Sequence, residues 1–265
     1  MTTRVSDDPG ELLALAVEVA RAAGTLAREG RRRTGARAGT TKSSATDEVT
    51  EHDRAAERLI VERLLIARPD DAVVGEEGAA VSGTSGLEWF LDPIDGTTNF
   101  VYDLPGWCTS VAVARDGEML AGAVYVPVTD ELFAARRGQG ATLDGRPIRC
   151  STEEELHRAL VATGFGYDPD VRRRQAYRVA GLIGEIRDVR RSGSAAIDLC
   201  HVAAGRVDAY YEEHLNSWDA AAGVLIATEA GARASDYSGG PARPEQLLVA
   251  TPALHPRLLD LLATP

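Results

Sequence analysis

The sequence predicts an α/β protein with an α+β first half, residues 1–150, and an α/β second half, residues 151–265. Three observations predict this. Apolar residues recur at helical spacing near the start, short apolar runs parted by Asp-Gly turns fill the middle, and after Cys150 apolar runs alternate with helical segments. At 265 residues the chain exceeds one average domain but falls short of two large ones, so the halves are expected to share one cleft.

The elements follow in order. Leu12, Leu13, Leu15, Ala16, Val19, Ala20, Ala23 and Leu26 mark an amphipathic helix ending near Gly30, followed by a loop from Arg31 to Ser44. A second helix spans Glu51 to Ala67 and is stopped by Arg68-Pro69-Asp70-Asp71; a short strand, Ala72 to Gly75, then delivers Glu76-Glu77. Trp89-Phe90-Leu91 is an apolar run that breaks off at a polar turn, Asp92-Pro93-Ile94-Asp95-Gly96. Strands at Ser110 to Arg115 and Met119 to Val128 are joined through Asp116-Gly117, a strong hairpin signal, and the meander continues through Phe133 to Arg137 and Thr142 to a turn at Asp144-Gly145. Ser151-Thr152-Glu153-Glu154 has the pattern of a capping box at a helix start. Beyond it, strands at Leu160 to Thr163, Arg187 to Arg190, Val207 to Tyr211 and Leu247 to Thr251 alternate with helices at Arg172 to Gly184, Ala195 to Ala204 and Ala220 to Ala230.

Composition narrows the function. A net charge of −11 argues against direct nucleic-acid binding, which clustered Lys and Arg carry. An acidic protein that handles phosphates needs divalent cations to reverse the local field. No segment approaches the ~20 apolar residues of a membrane span, and Met1 to Gly10 lacks the apolar core of a secretory signal. Cys108, Cys150 and Cys200 show no CxxC pairing, which suits a reducing, cytoplasmic setting.

Three segments place acids at the ends of apolar runs: Gly75-Glu76-Glu77, Asp92-Pro93-Ile94-Asp95-Gly96-Thr97 and Ser217-Trp218-Asp219. Hard divalent cations take a few carboxylates and keep several waters, so acids from different elements are the expected protein contribution. Proline fixes the Asp92–Asp95 turn, which can aim both carboxylates and the Ile94 carbonyl into one space. Gly96-Thr97-Thr98-Asn99 reads as the opening of a helical turn whose free N–H groups form an anion site. Each piece has a plainer account, as a turn, a macrodipole partner at Asp219 or a solvated pair at Glu76-Glu77. Their joint occurrence favours a shared metal site. Neither a Gly-x-Ser-x-Gly elbow nor a P-loop is present, so direct hydrolysis by water is the simplest phosphatase mechanism.

Gly75-Glu76-Glu77, the run from Trp89 to Phe100, and Trp218-Asp219-Ala220-Ala221-Ala222-Gly223 resemble the signature motifs of the inositol monophosphatase family. The resemblance runs from Lys42-Ser43-Ser44 through Arg191–Ala196 to Glu229-Ala230-Gly231. It implies a five-layered αβαβα sandwich, usually a homodimer, with Mg²⁺ in two or three copies per active site and Li⁺ as inhibitor. Position by position it implies Glu76, Asp92, the Ile94 carbonyl, Asp95 and Asp219 as metal ligands, and Asp47, Thr97 and Glu76 as catalytic, with Asp47 pairing Thr97 to orient water. Gly96 and Thr97 would hold the phosphate. Asp95, Gly193, Ser194, Ala195, Glu212 and Asp219 would contact the substrate alcohol, with neighbouring Glu213 a competitor for the role of Glu212. Asn216 stands where some relatives have His, and Thr46 alters the Ser-Pro-Ala-Asp pattern seen in others. The expected activity is hydrolysis of inositol 1-phosphate or a similar small phosphorylated polyol. The alternatives are fructose 1,6-bisphosphate, histidinol phosphate or 3′-phosphoadenosine nucleotides as substrate, or, in a different class, a protein-binding role in transcription.

Overall fold

The computed structural model describes residues 7–34, 40–41 and 48–263. Helix α1 (Pro9–Thr34) buries Leu12, Ala16, Val19, Ala20, Ala23 and Ala27 along one stripe. It continues past Gly30, where the sequence suggests a stop. Gly30 instead lets α1 close on its neighbour, since a Cβ there would lie 2.6 Å from the His52 ring. A two-residue ribbon pairs β1 (Thr40–Thr41) with β2 (Glu48–Val49). Helix α2 (Glu51–Ala67) opens on a capping box between Thr50 and Asp53.

Strands β3 (Ala72–Gly75), β4 (Ala80–Val81), β5 (Leu87–Asp95), β6 (Cys108–Arg115), β7 (Glu118–Val126), β8 (Glu131–Arg136), β9 (Ala141–Leu143) and β10 (Arg146–Ile148) form one sheet, in the order β10-β9-β8-β7-β6-β5-β3-β4. Only β3 and β5 run parallel within it; every other pairing is antiparallel. Asp116 and Gly117 both have positive φ, 51° and 79°, as a tight two-residue hairpin turn demands. Helix α3 (Thr97–Tyr102) follows β5 directly.

In the second half, β11 (Leu160–Thr163), β12 (Asp188–Arg190), β13 (Ala209–Glu213), β14 (Arg233–Ser235) and β15 (Gln246–Ala250) form a sheet ordered β12-β11-β13-β15-β14. Helices α4 (Pro169–Leu182), α5 (Ala195–Ala203), α6 (Ser217–Glu229) and α7 (Leu254–Leu262) complete the described residues. Helices α1 and α2 cover one face of the large sheet around Trp89, Val111 and Ile60, while α5 and α6 fill the space between the sheets. Helices α4 and α7 close the outer face of the small sheet around Leu182, Leu248 and Leu258. The architecture is a five-layered αβαβα sandwich.

The helix expected at Ser151 does not form. The Ser151 hydroxyl donates to Asp208 Oδ1 at 2.5 Å, and Glu153 Oε1 accepts from the Glu154 and Glu155 amides, leaving only a 3₁₀ turn at Leu156–Arg158. Strands β1, β2, β4, β10 and β14 and helix α7 lie outside the expectation. Among the described residues no helix is long and apolar enough to cross a membrane.

Candidate active site

The parallel pair β3 and β5 brings Glu76 beside Asp92. The Glu76 amide donates to Leu91 O at 3.1 Å, continuing the ladder one residue past the end of β3. Strand β5 runs through Asp92 to Asp95 rather than stopping at a turn, and its pairing with β6 shifts register between those two acids. Such an irregularity re-aims side chains at a strand end. Asp92 is 2% exposed, and its Oδ1 accepts from the Ile94 amide at 3.0 Å. Asp95 reaches across to the second half, where its Oδ2 accepts from the Ser194 hydroxyl at 2.6 Å and the Ala196 amide at 2.7 Å. Asp219 comes from the first turn of α6, where its Oδ2 accepts from the Asn216 amide at 2.7 Å.

Thr97 opens α3 next to these acids. Its hydroxyl lies 3.3 Å from Asp53 Oδ1 and 3.1 Å from Ile94 O. Asp53 is fully buried, and its Oδ2 is held by the Thr50 amide at 2.8 Å and the Thr50 hydroxyl at 2.5 Å. Asp47 lies outside the described residues, as do Lys42, Ser43, Ser44 and Thr46. Gly96 is a glycine for two reasons: its φ is 94°, and a Cβ would sit 2.7 Å from Gly106 O. Asn99 bridges the halves by donating to Gly106 O and Ser192 O at 2.5 and 2.7 Å.

Gly193, Ser194, Ala195 and Glu212 border the same cleft as Glu76, Asp92, Ile94, Asp95, Gly96, Thr97 and Asp219. Its volume is about 490 Å³, within the usual range for a small-molecule site. Ser194 spends its hydroxyl on Asp95 while accepting from the Ile197 amide at 3.1 Å, so it caps α5 and anchors an acid at once. Glu212 Oε2 accepts from the Tyr210 hydroxyl at 2.6 Å. Gly164 makes room for it, because a Cβ there would fall 1.9 Å from that oxygen. Glu213 is tied to Arg178 in an ion pair. Asp198, one turn into α5, also borders the cleft.

Burial, and after it the charges of Glu76, Asp95 and Asp219, push the Asp92 carboxyl well above the ordinary range. Asp219 is raised by burial and by Asp95. Burial raises Asp95 to about 6 against the lowering hydrogen bonds of Ser194 and Ala196. Burial likewise lifts Glu212 and Asp198 each to about 7. Among the described residues eight carboxylates border the cleft against one arginine, Arg191, and this crowding of like charge asks for cations.

The chain matches the profile of the inositol monophosphatase family over residues 8–264. It belongs to that family. The inositol-1-monophosphatase SuhB of Mycobacterium tuberculosis H37Rv is 49% identical over 201 residues, covering 72% of this chain and 69% of that protein. The Nus factor SuhB of Escherichia coli K12 is 41% identical over 231 residues, 86% of each. Among solved structures, M. tuberculosis SuhB superposes with a TM-score of 0.84 at 39% identity over 97% of this chain and 98% of its own. The suhB protein of Bartonella henselae does so at 0.91 and 33%, over 96% and 99%.

Members of the inositol monophosphatase family are metal-dependent phosphatases acting on phosphorylated substrates. Among the described residues no three His, Cys, Asp or Glu side chains are closed around one point tightly enough to hold an ion as they stand. The donor chemistry nevertheless fits a hard divalent ion: oxygen atoms only, from buried, mutually repelling carboxylates at adjoining element ends. Every described residue that the sequence placed in this site borders the cleft. Asp53 and Asp198 escaped the sequence reading. Asp53 is one acid of an amphipathic helix start, where a capping role is explanation enough; Asp198 had a signal, an acid three residues into the helix that follows Gly193-Ser194-Ala195.

Proposed function

We propose that the chain hydrolyses the phosphate monoester of a small polyol, inositol 1-phosphate to inositol and inorganic phosphate, with Mg²⁺ as cofactor in two or three copies per site and Li⁺ as inhibitor. The observation that carries this reading is the meeting of Glu76, Asp92, Asp95 and Asp219 in one cleft beside a Thr97 hydroxyl within reach of buried Asp53. These four acids and the Ile94 carbonyl would hold the ions. Divalent ions there supply a lowered pKa for the attacking water and neutralise charge growing on the leaving oxygen.

The remaining steps belong to the chain's own residues. The Thr97 hydroxyl, donating to Asp53 Oδ1, keeps a lone pair directed at the proton of the attacking water. Thr50 fixes the other Asp53 oxygen, so the pair is oriented before substrate arrives. Gly96 and the opening amides of α3 face the phosphate. Water adds to phosphorus as the bond to the alcohol oxygen breaks, and the polyol leaves with a proton. Glu212, its second oxygen fixed by Tyr210, accepts hydrogen bonds from neighbouring hydroxyls of that polyol. Among the described residues Cys108 is buried with its thiol pushed up and Ser194 is committed to Asp95, so neither competes with water as the nucleophile.

Among the described residues one arginine borders this acidic cleft, which favours substrates with one phosphate over fructose 1,6-bisphosphate. The relative named a Nus factor supports a second reading, a protein partnership in transcription. The test is phosphate release from inositol 1-phosphate, fructose 1,6-bisphosphate, histidinol phosphate and a 3′-phosphoadenosine nucleotide, with Mg²⁺, with chelator and with Li⁺. Fastest Mg²⁺-dependent release from inositol 1-phosphate supports the proposal. Faster release from another substrate moves the specificity, and none from any leaves the partnership reading. We further propose a cytoplasmic homodimer; the three unpaired cysteines support the compartment, and light scattering of the purified chain tests the assembly.

A further inference from the structure

One turn beyond Asp53 on α2 stands a second buried acid, Glu57, 6% exposed. Residues four apart lie on one helix face, so the helix that seats Thr97 through Asp53 presents Glu57 to the next strand end. Glu57 Oε2 accepts from the Glu77 amide at 2.8 Å and Oε1 from the Ala79 amide at 3.0 Å. The turn so held is Gly75 to Ala79, closed also by the Gly75 amide donating to Ala79 O at 2.8 Å. Glu76 lies inside it. Its own amide is tied to Leu91 O and the next amide to Glu57, so both peptide groups flanking its Cα are anchored.

The local sequence is arranged for this contact. A Cβ on Gly75 would fall 2.2 Å from Glu57 Oε2, so the carboxylate approaches only because residue 75 has no side chain. Gly78 supplies the positive φ, 106°, that bends the turn back. A charged carboxylate clamping two amides is a far stiffer tether than a neutral acceptor.

We propose that Glu57 is a positioning residue for Glu76, clamping the 75–79 turn so that the Glu76 carboxylate is aimed at the divalent-ion site. The inference rests on the metal reading of the site given above. Groups that orient a metal ligand without touching the ion commonly change affinity ~10–100-fold when removed. A merely structural clamp has no such effect. The fold contains its own control: half-buried Glu229, at the far end of α6 from Asp219, accepts from the Gly138 and Gly140 amides at 2.7 and 2.8 Å in the same way.

The experiment is Mn²⁺ titration of the metal-free full chain by electron paramagnetic resonance, without substrate, together with melting temperatures in chelator. Glu57→Gln and Glu229→Gln are expected to lower the melting temperature similarly. Only Glu57→Gln should weaken Mn²⁺ binding, by ~10–100-fold, with Glu229→Gln staying within about twofold of the parent. Should Glu57→Gln fail to fold, Gly75→Ala displaces the same carboxylate from the opposite side and is expected to weaken Mn²⁺ binding alike. Unchanged Mn²⁺ affinity in a folded Glu57→Gln or Gly75→Ala chain overturns the proposal. Wild-type chain that binds no Mn²⁺, or Asp92→Asn that binds it fully, overturns the metal reading itself and this inference with it.

Discussion

Replacing Thr97 by Val deletes one hydroxyl while keeping the shape and branching of a side chain that is 6% exposed. Its single proton is shared between Asp53 Oδ1 at 3.3 Å and Ile94 O at 3.1 Å, so one hydrogen bond is lost in net terms. Such a bond is worth ~0.5–1.5 kcal/mol, and Asp53 keeps both bonds from Thr50. The melting temperature should therefore fall by only a few degrees, at about 2–4 °C per kcal/mol for a chain near this size. The rate should fall much further. General-base assistance is worth ~10²–10⁴-fold, or roughly 3–5 kcal/mol of barrier, concentrated in kcat with KM little changed. Asp53→Asn should reproduce the kcat loss, and the double variant should be little worse than either, as expected of residues acting as one unit. Asp47→Asn in the same series tests the pairing expected from the sequence. Steady-state kinetics at saturating Mg²⁺ with thermal melts decide the matter: a lowered melting temperature with kcat intact in Thr97→Val refutes the dyad.

Asp95→Asn should leave a folded chain whose turnover is reduced by about two orders of magnitude or more, measured as phosphate release, since the loss of a ligand weakens charge stabilisation at the reacting centre. Gly164→Ala should raise KM for a polyol phosphate more than it lowers kcat, because the new methyl would sit 1.9 Å from Glu212 Oε2 and must displace it; unchanged KM would remove Glu212 from the alcohol pocket. His255 is fully buried, and burial lowers it from 6.5 to about 4, with Arg233 adding to the effect. Its unfolded form therefore binds a proton first as pH falls, so its contribution is intact above about 6.5 and is lost through the window down to about 4. His255→Gln, which can keep a bond to Ser235, should flatten the fall in melting temperature across that window relative to the parent.

The acids at strand ends were legible in sequence because each interrupts an apolar run, where a carboxylate has no packing role. The clamps behind them were not. Asp53 and Glu57 sit in a helix whose pattern of Ala55, Leu59 and Val61 already accounts for an amphipathic surface, and nothing local says that acids on it face inward. Thr50 lies close in sequence and explains only a cap; the groups that give these acids their further role come from 20 and 22 positions away for Glu57 and 44 for Asp53. Ser151 shows the reverse failure: its local pattern favours a cap, but Asp208, 57 residues on, takes its hydroxyl instead. Helix α7 is not legible although Pro256 suits a first helical turn and five of its nine residues are leucine, because so short an apolar run does not distinguish a helix from a strand by its period.

The alanine-rich middle of α6 has a consequence for how this scaffold can be changed. A Cβ on Gly223 would lie 2.7 Å from Leu199, and one on Gly122 would lie 3.0 Å from the Ala222 Cα, so helix, neighbouring helix and sheet touch almost backbone to backbone. With no slack on either side, α6 behaves as a keyed shaft: a methyl group added midway has nowhere to go except into axial or rotational travel, and the first part to move is Asp219 at its tip. The loop from Phe165 to Asp168 and the segment from His214 to Asn216 border the cleft without being wedged in this manner. A laboratory seeking a new alcohol preference should randomise those two segments, and expect substitutions in the wedged stretch of α6 from Ala220 to Gly223 to extinguish turnover before they alter selectivity.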